Sequence, residues 1–343
     1  MDYIIEELSN KNADDWKRLS EECKEGSFFH TLKWKQILEQ SFNYKSHNFL
    51  LYRNGEPVAL CPLYEDTIQG IRGLVSLPLS DYNHLLITDK NDSLIPYHIL
   101  NKCKEITKIN KLFYIIITNS NELIRDHFDK YKPFPHPITG NMVLNLEELN
   151  PDKIWNEVFS TNYRKYVRRF EKDGFKIKEV RLLEDVKAFY EFYKINIESI
   201  NSTPYPFSHF EDLLKTYSST EMMITLLKKD DHVYGGHLVF LHEPNKTMYS
   251  RYISLNRNLP SRYKPGLYIY WDMINTAFKK GYKVVDFGQT PPYPNNVYYK
   301  LKEKFGTHYK KEYSSVFPRS FIFKLGYIIY YNIYTQAKKY KYR

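Results

Sequence analysis

Apolar positions along this chain recur with two periods, and the switches between them outline an alternation of strands and helices. Residues 3–7 read as a short strand and residues 12–24 as a helix with Trp16 and Leu19 on one face. In the aromatic turn Ser27-Phe28-Phe29-His30-Thr31-Leu32-Lys33-Trp34, Thr31 is placed to cap the helix that starts at Leu32. Residues 49–53 and 58–63 flank Asn54-Gly55, the strongest short-range signal for a hairpin. Apolar segments 74–79 and 85–88 surround the polar knot Ser80-Asp81-Tyr82-Asn83-His84. A helix over 93–110, a buried strand over 112–118, a helix over 121–129 and a strand over 142–146 complete this half.

Asn150-Pro151-Asp152 marks a boundary, because proline disfavours helix in the residue before it yet fits a first helical turn. Beyond it the pattern predicts a helix over 162–173 stopped by Gly174, a strand over 175–180, and helices over 184–200 and 210–217. A three-strand meander follows over 221–228, 232–241 and 247–253, then a helix opened by Pro265-Gly266 and a strand at Val284. The expected division is 1–149, 150–318 and a C-terminal helical tail over 319–343. Periodicity alone gives an α/β chain of two domains.

Composition changes this picture in two respects. Thirty-two Tyr and 21 Phe exceed what a core needs, and a net charge of +10 predicts a surface that attracts phosphate-bearing partners. Cys23, Cys61 and Cys103 lie far apart, so neither a disulfide framework nor a zinc site is indicated and a reducing cytoplasm is expected. Met1-Asp2-Tyr3-Ile4-Ile5-Glu6-Glu7 lacks the basic start of a secretory signal, and no run of apolar residues is long enough to span a bilayer. His232, His237 and His242 alternate between strand faces, which argues against a shared metal.

The chemistry concentrates late in the chain. Lys283-Val284-Val285-Asp286-Phe287-Gly288-Gln289 reads as a buried strand ending in a turn, followed by Tyr299-Lys300-Leu301-Lys302-Glu303-Lys304-Phe305-Gly306. Asp286 stands at the carboxyl end of that strand, where open α/β sheets place their sites; it either orients an amine or caps the turn. The helix Asn162-Tyr163-Arg164-Lys165-Tyr166-Val167-Arg168-Arg169 sets Arg164 and Arg168 one turn apart beside Arg169, as a diphosphate clamp or a solvated basic face. No Gly-x-Ser-x-Gly elbow and no activated cysteine is present, in keeping with direct attack rather than a covalent intermediate.

The order of these segments, with the helix from Tyr263-Lys264-Pro265-Gly266-Leu267, resembles the Fem family of aminoacyltransferases. The resemblance implies two GNAT-like domains, each a mixed twisted sheet flanked by helices, followed by a basic aromatic C-terminal helix. It implies an acyltransferase that moves an aminoacyl or acyl group to an amine of a cell-wall or envelope precursor. Lys302 in Leu301-Lys302-x-x-Phe305 resembles the family's Phe-Lys-x-x-Phe segment, whose lysine stabilises charge on the reacting carbonyl; otherwise it is one lysine of a solvated basic helix. The resemblance extends substrate binding to the helix of Arg164, Arg168 and Arg169. With it go Gln289, the knot of Asp81 and Tyr82, and Trp34 in the opening turn. Tyr249, Arg251, Tyr252, Tyr263 and Tyr268 are candidates for the acceptor groove, while a loop bonded within itself is preferred to a catalytic role for His84.

No tightly bound cofactor is expected, and the donor is aminoacyl-tRNA or acyl-coenzyme A. Arg262-Tyr263-Lys264-Pro265-Gly266-Leu267 is one residue out of register with a coenzyme A phosphate turn, and no long helical hairpin of the tRNA-using members is present, so both donors stay open. The acceptor is expected to be lipid-linked, duplex DNA is not expected, and the tail Phe321 to Tyr334 before Lys338-Lys339-Tyr340-Lys341-Tyr342-Arg343 suits contact with the inner membrane face. A tail helix packed on the second domain is the competing expectation. An acyl-coenzyme A N-acyltransferase is the alternative enzyme, and a non-catalytic relative that binds RNA or a membrane surface is the alternative outside catalysis.

Overall fold

A computed structural model describes residues 2–341 apart from Gln69 and residues 136–138, and the side chains of Pro135, Ile322 and residues 334–341 are also outside the description. The expectations placed on Tyr342 and Arg343 lie outside the described residues. From its start the chain forms β1 (Tyr3–Glu7), α1 (Ala13–Glu22), a short 3-10 turn and α2 (Leu32–Phe42), where Thr31 accepts from the Trp34 N–H at 3.3 Å. β2 (Phe49–Arg53) and β3 (Glu56–Cys61) form the hairpin, with Asn54 at φ 53° and Gly55 at φ 85° as a two-residue turn requires. β4 (Leu63–Ile68), β5 (Ile71–Ser76), β6 (Leu86–Ile87), α3 (Leu94–Ile109), β7 (Tyr114–Asn119), α4 (Glu122–Asp129) and β8 (Phe134–Pro135) follow.

The chain continues through β9 (Thr139–Asn145), α5 (Pro151–Lys153), a π-helical turn, α6 (Thr161–Lys172), β10 (Lys176–Val180), α7 (Leu183–Glu198) and α8 (Phe207–Thr216). β11 (Met222–Lys229), β12 (His232–His242) and β13 (Thr247–Leu255) are the meander. α9 (Pro265–Lys279), β14 (Val284–Gln289), α10 (Val297–Glu303), β15 (His308–Pro318) and α11 (Phe321–Lys341) complete it.

Two compact units result, and their boundaries differ from a simple cut at residue 150. The first takes in the chain up to Gly140, then Pro291–Asn296 and everything from Lys311; the second is Asn141–Thr290 with Val297–Lys310. Strand pairing is the reason. In the first unit the sheets run β1-β2-β3-β6 and β15-β7-β5-β4, so the late strand β15 lies antiparallel to β7. In the second unit the order is β10-β11-β12-β13-β14-β9, so residues 142–146, expected to close the first half, instead pair with β14.

β7 shows how sequence sets the layers of the first unit. All six residues of Tyr-Ile-Ile-Ile-Thr-Asn are buried, as a run without alternation requires when both faces are covered. Ile115 and Ile117 pack with Ile99, Cys103 and Phe128 of α3 and α4, whereas Tyr114 and Ile116 pack with Val75, Val316 and Tyr327. The C-terminal helix therefore packs on the first unit, which corrects the expectation that it returns to the second. Gly73 is needed here, since a Cβ would sit 2.1 Å from the Tyr114 ring. Among the described residues no helix is long and apolar enough to cross a membrane.

Candidate active site

The second unit opens where its two central strands part. β13 and β14 are parallel and paired only from Thr247↔Val284 to Tyr249↔Asp286, although β13 runs on to Leu255 and β14 to Gln289. On its other side β13 is irregular: Leu238 faces Tyr252 and Val239 faces Ser250, which leaves Arg251 as the extra residue of a bulge. A bulge beside a parting strand pair re-aims side chains and leaves backbone groups for a ligand.

The turn after β14 is gripped from both sides. Asp286 is fully buried and its Oδ1 accepts the Gly288 N–H at 2.6 Å, while Gly288 takes φ 76°. Lys302, only 6% exposed, donates from Nζ to the Gly288 carbonyl at 3.1 Å, the Gln289 carbonyl at 3.4 Å and Thr290 Oγ1 at 2.8 Å. Phe305 makes this reach possible. It is buried against Phe287 at 5.4 Å, Phe159 at 5.5 Å and Tyr270 at 5.9 Å between ring centres, which fixes α10 over the turn. The carboxylate and the ammonium thus converge on one residue, and the reading of Lys302 as one lysine of a solvated basic helix is corrected, since the group is buried and bonded to the turn.

Two helix starts converge beside this turn on a cavity of about 460 Å³. Ser160, Asn162, Tyr163 and Tyr166 line it from α6; Lys264, Pro265, Gly266 and Leu267 line it from α9; Leu255 and Leu301 close it. Proline at the first helical position of α9 supplies no N–H, so the Gly266 and Leu267 amides are the first donors of a helix end that carries partial positive charge. Ser160 caps α6 by accepting from the Tyr163 N–H. Lys264 lies 6.0 Å from the Tyr166 ring centre. A cation with two helix dipoles in one concavity is a place for phosphate.

Residues 159–310 match the family model described as acetyltransferase (GNAT) domain. Apart from Pro291–Asn296, the matched residues fall within the second unit. The structure of FemX is similar to this chain with a TM-score of 0.69 at 14% identity, covering 92% of this chain and 98% of that one. A tandem GNAT protein from the clavulanic acid biosynthesis pathway gives 0.63 at 9% identity, covering 93% and 99%. The C-terminal domain of a putative lysylphosphatidylglycerol synthetase from Agrobacterium fabrum gives 0.59 at 10% identity, covering 89% and 92%. No curated protein sequence matches. The fold is two GNAT-like domains, as the tandem neighbour has, and the protein is an acyltransferase.

The GNAT domain distributes the other candidates unevenly. Arg164 donates to the carbonyls of Trp155 at 2.9 Å and Phe159 at 2.6 Å, and Arg168 lies over the Trp155 ring at 5.4 Å. They do not form an open fork, because Arg164 is spent on the turn before its own helix. Arg169 reaches the Arg262 carbonyl at 2.7 Å and so holds the loop that presents Lys264. Tyr263 donates to Asp173 Oδ2 at 2.5 Å, and Tyr268 stacks on Phe170 at 4.7 Å, which places both in the packing between α6 and α9 rather than with Arg251. Tyr249 is buried early in β13 and accepts from Asn245 Nδ2 at 3.1 Å. Gln289 is exposed at the end of β14.

Arg251 instead meets its fellow candidate Tyr252 and, around that ring, residues that the sequence reading did not select. Its guanidinium lies 5.0 Å over Tyr252, whose hydroxyl is 3.0 Å from His209 Nε2, with Tyr193 and Tyr205 packed on the same ring. Burial, with Arg251 second, pushes His209 down to about 3, so the ring is neutral at pH 7. Burial likewise pushes His237 down to about 3, where Nε2 is 2.7 Å from Ser250 Oγ. Helices α7 and α8 bring these groups together across some fifty residues of sequence, and no local motif announces that.

Three candidates belong to the first unit. Trp34 is fully buried and donates to Ser80 Oγ at 2.7 Å; Tyr82 is buried edge-on to His84; Asp81 is half-buried. His84 is fully buried, with Nδ1 at 2.7 Å from Glu312 Oε1 and Nε2 at 2.9 Å from the Glu25 carbonyl. Ser80 and His84 thus bond to distant partners, which corrects the expectation of a loop bonded within itself, and Asn83 Oδ1 is buried without a hydrogen-bond partner among the described residues.

Proposed function

We propose that the protein transfers an acyl or aminoacyl group to an amine of an envelope precursor, with the donor's phosphate seated at the start of α9. The observation that carries this reading is the cavity shared by the α6 and α9 N-termini with Lys264, next to the strands that part after Asp286. GNAT domains generally use acyl-coenzyme A, and a phosphate of coenzyme A or of a tRNA end meets the same amides of Gly266 and Leu267. The likeness to FemX and to a lysylphosphatidylglycerol synthetase domain supports an aminoacyl donor and an envelope acceptor.

Transfer is direct. The acceptor amine attacks the acyl carbon and forms a C–N bond, the C–S bond of a thioester or the C–O bond of an ester breaks, and the amine proton ends on the departing sulfur or oxygen. Lys302 holds a buried positive charge at the turn where an oxyanion would develop, and Asp286 fixes the direction of the Gly288 N–H. Arg251, raised on its bulge among Tyr193, Tyr205 and Tyr252, receives the acceptor.

The test is incubation of the full chain with acyl-coenzyme A or with charged tRNA, each beside an amine-bearing envelope precursor, and mass analysis of the product. The proposal expects an adduct with one donor and a slower reaction for Lys264→Glu. Donor binding without turnover in the parent would establish a binding protein instead.

A further inference from the structure

Helix α11 has two apolar faces, and the fold covers one of them. Tyr327 is buried and Phe323 and Tyr331 are half-buried against Tyr114, Ile116 and Val316. On the outer side Phe321 is 77% exposed, Leu325 53%, Ile329 54% and Ile333 65%. Their spacing of four residues makes them one continuous face of the helix, flanked by exposed Ile328. Scattered apolar residues on a surface are ordinary, whereas a stripe more than three turns long beside a covered face is not.

Cations stand at both ends of this stripe. At its start a cavity of about 240 Å³ is lined by Lys108, Lys111, Phe113, Arg319 and Ser320 together with Thr107 and Leu112, and no carboxylate lines it among the described residues. Exposed Ile109 and Phe113 adjoin it, and the Phe113 carbonyl accepts the Arg319 N–H at 2.7 Å, two residues before the stripe begins. Beyond the stripe the helical backbone continues to Lys341, and the sequence there holds Lys338, Lys339 and Lys341.

We infer that α11 lies on an anionic bilayer, with Phe321, Leu325, Ile329 and Ile333 among the acyl chains and a lipid phosphate at Lys108, Lys111 and Arg319. A membrane fits and a second copy does not, because a like chain brings the same +10 charge and the same cationic ends to the interface. The helix lies on the surface rather than through it, since its two faces carry different loads and it lacks the apolar length to span. The inference stands apart from the acyl-transfer reading, as every group it uses lies in the first unit.

Co-sedimentation of the full chain with vesicles tests this, one set of equal parts phosphatidylglycerol and phosphatidylcholine and one of phosphatidylcholine alone. The chain is expected to pellet with the anionic set only and to be released by raised salt. Leu325→Glu with Ile329→Glu should abolish pelleting, and Lys108→Glu or Arg319→Glu should weaken it about fivefold for each cation removed. Since these side chains point to solvent, thermal unfolding should match the parent and exclude misfolding as the cause. Absence of pelleting, equal pelleting with both sets, or unchanged pelleting of the variants would overturn the inference. A dimer in light scattering that the Leu325→Glu, Ile329→Glu pair dissolves, with no vesicle binding, would overturn it in favour of a second copy.

Discussion

Gly288 carries much of the account at the scale of single residues, with its N–H held by Asp286 and its carbonyl by Lys302. Replacing Lys302 by Met removes a buried donor from the Gln289 carbonyl and Thr290 Oγ1 and leaves the Gly288 carbonyl to the Thr290 hydroxyl, so denaturant titration should show a loss of about 1–3 kcal/mol. If the charge also serves the oxyanion, kcat should fall about a hundredfold while donor affinity stays near the parent value. A stability loss with kcat intact would reduce Lys302 to an anchor. Both residues were legible in the sequence because strand, turn and Leu-Lys-x-x-Phe lie within twenty positions. The partners of Arg251 were not, since His209, Tyr193 and Tyr205 reach it only through tertiary packing. Asp272 was equally silent: burial, opposed by Lys279, pushes its carboxyl up to about 6. A folded-state value above the unfolded one gives a stability contribution that is whole in acid and lost as pH rises through about 6. Asp272→Asn should therefore raise Tm by roughly 2–4 °C at pH 8 and leave it unchanged at pH 4, as thermal melts at the two pH values would show.

Elements were legible where period and punctuation agreed. Asn54-Gly55, Thr31, Gly174 and Pro265 each mark a boundary the structure keeps. β15 was missed, because His308–Pro318 opens with lysines and tyrosines that read as a basic continuation of α10, and its partner β7 lies nearly two hundred residues away. Burial is what the pairing supplies: Glu312 of β15 is 1% exposed against His84, and its Oε2 has no partner. The His84 Nε2 must donate to the Glu25 carbonyl, so the proton shared between Nδ1 and Glu312 closes the only arrangement that satisfies the ring. Glu312→Leu should cost about 3–5 kcal/mol by leaving that nitrogen unpaired, and Glu312→Gln distinctly less, in equilibrium unfolding. Equal losses would show that packing rather than the shared proton matters.

For the whole molecule, two domains and their α/β class followed from length and pattern, but the way the chain is shared between them did not. β9 joins the sheet of the second unit, and β15 and α11 join the first, since strand partners follow register and burial rather than chain order. The first unit therefore needs sequence from both ends of the chain, while the second is built from its middle. The functional consequence is that the turn at Gly288, α10 and the start of α9 all fall in one unit, where the proposed donor would meet helix-start amides and a parting strand pair together. Hydrogen exchange at the Gly266 and Leu267 amides, with and without saturating donor, tests this claim most directly. The account predicts that donor slows exchange at these two amides and at residues 160–163 of the α6 start; unchanged exchange there while donor is bound would contradict it.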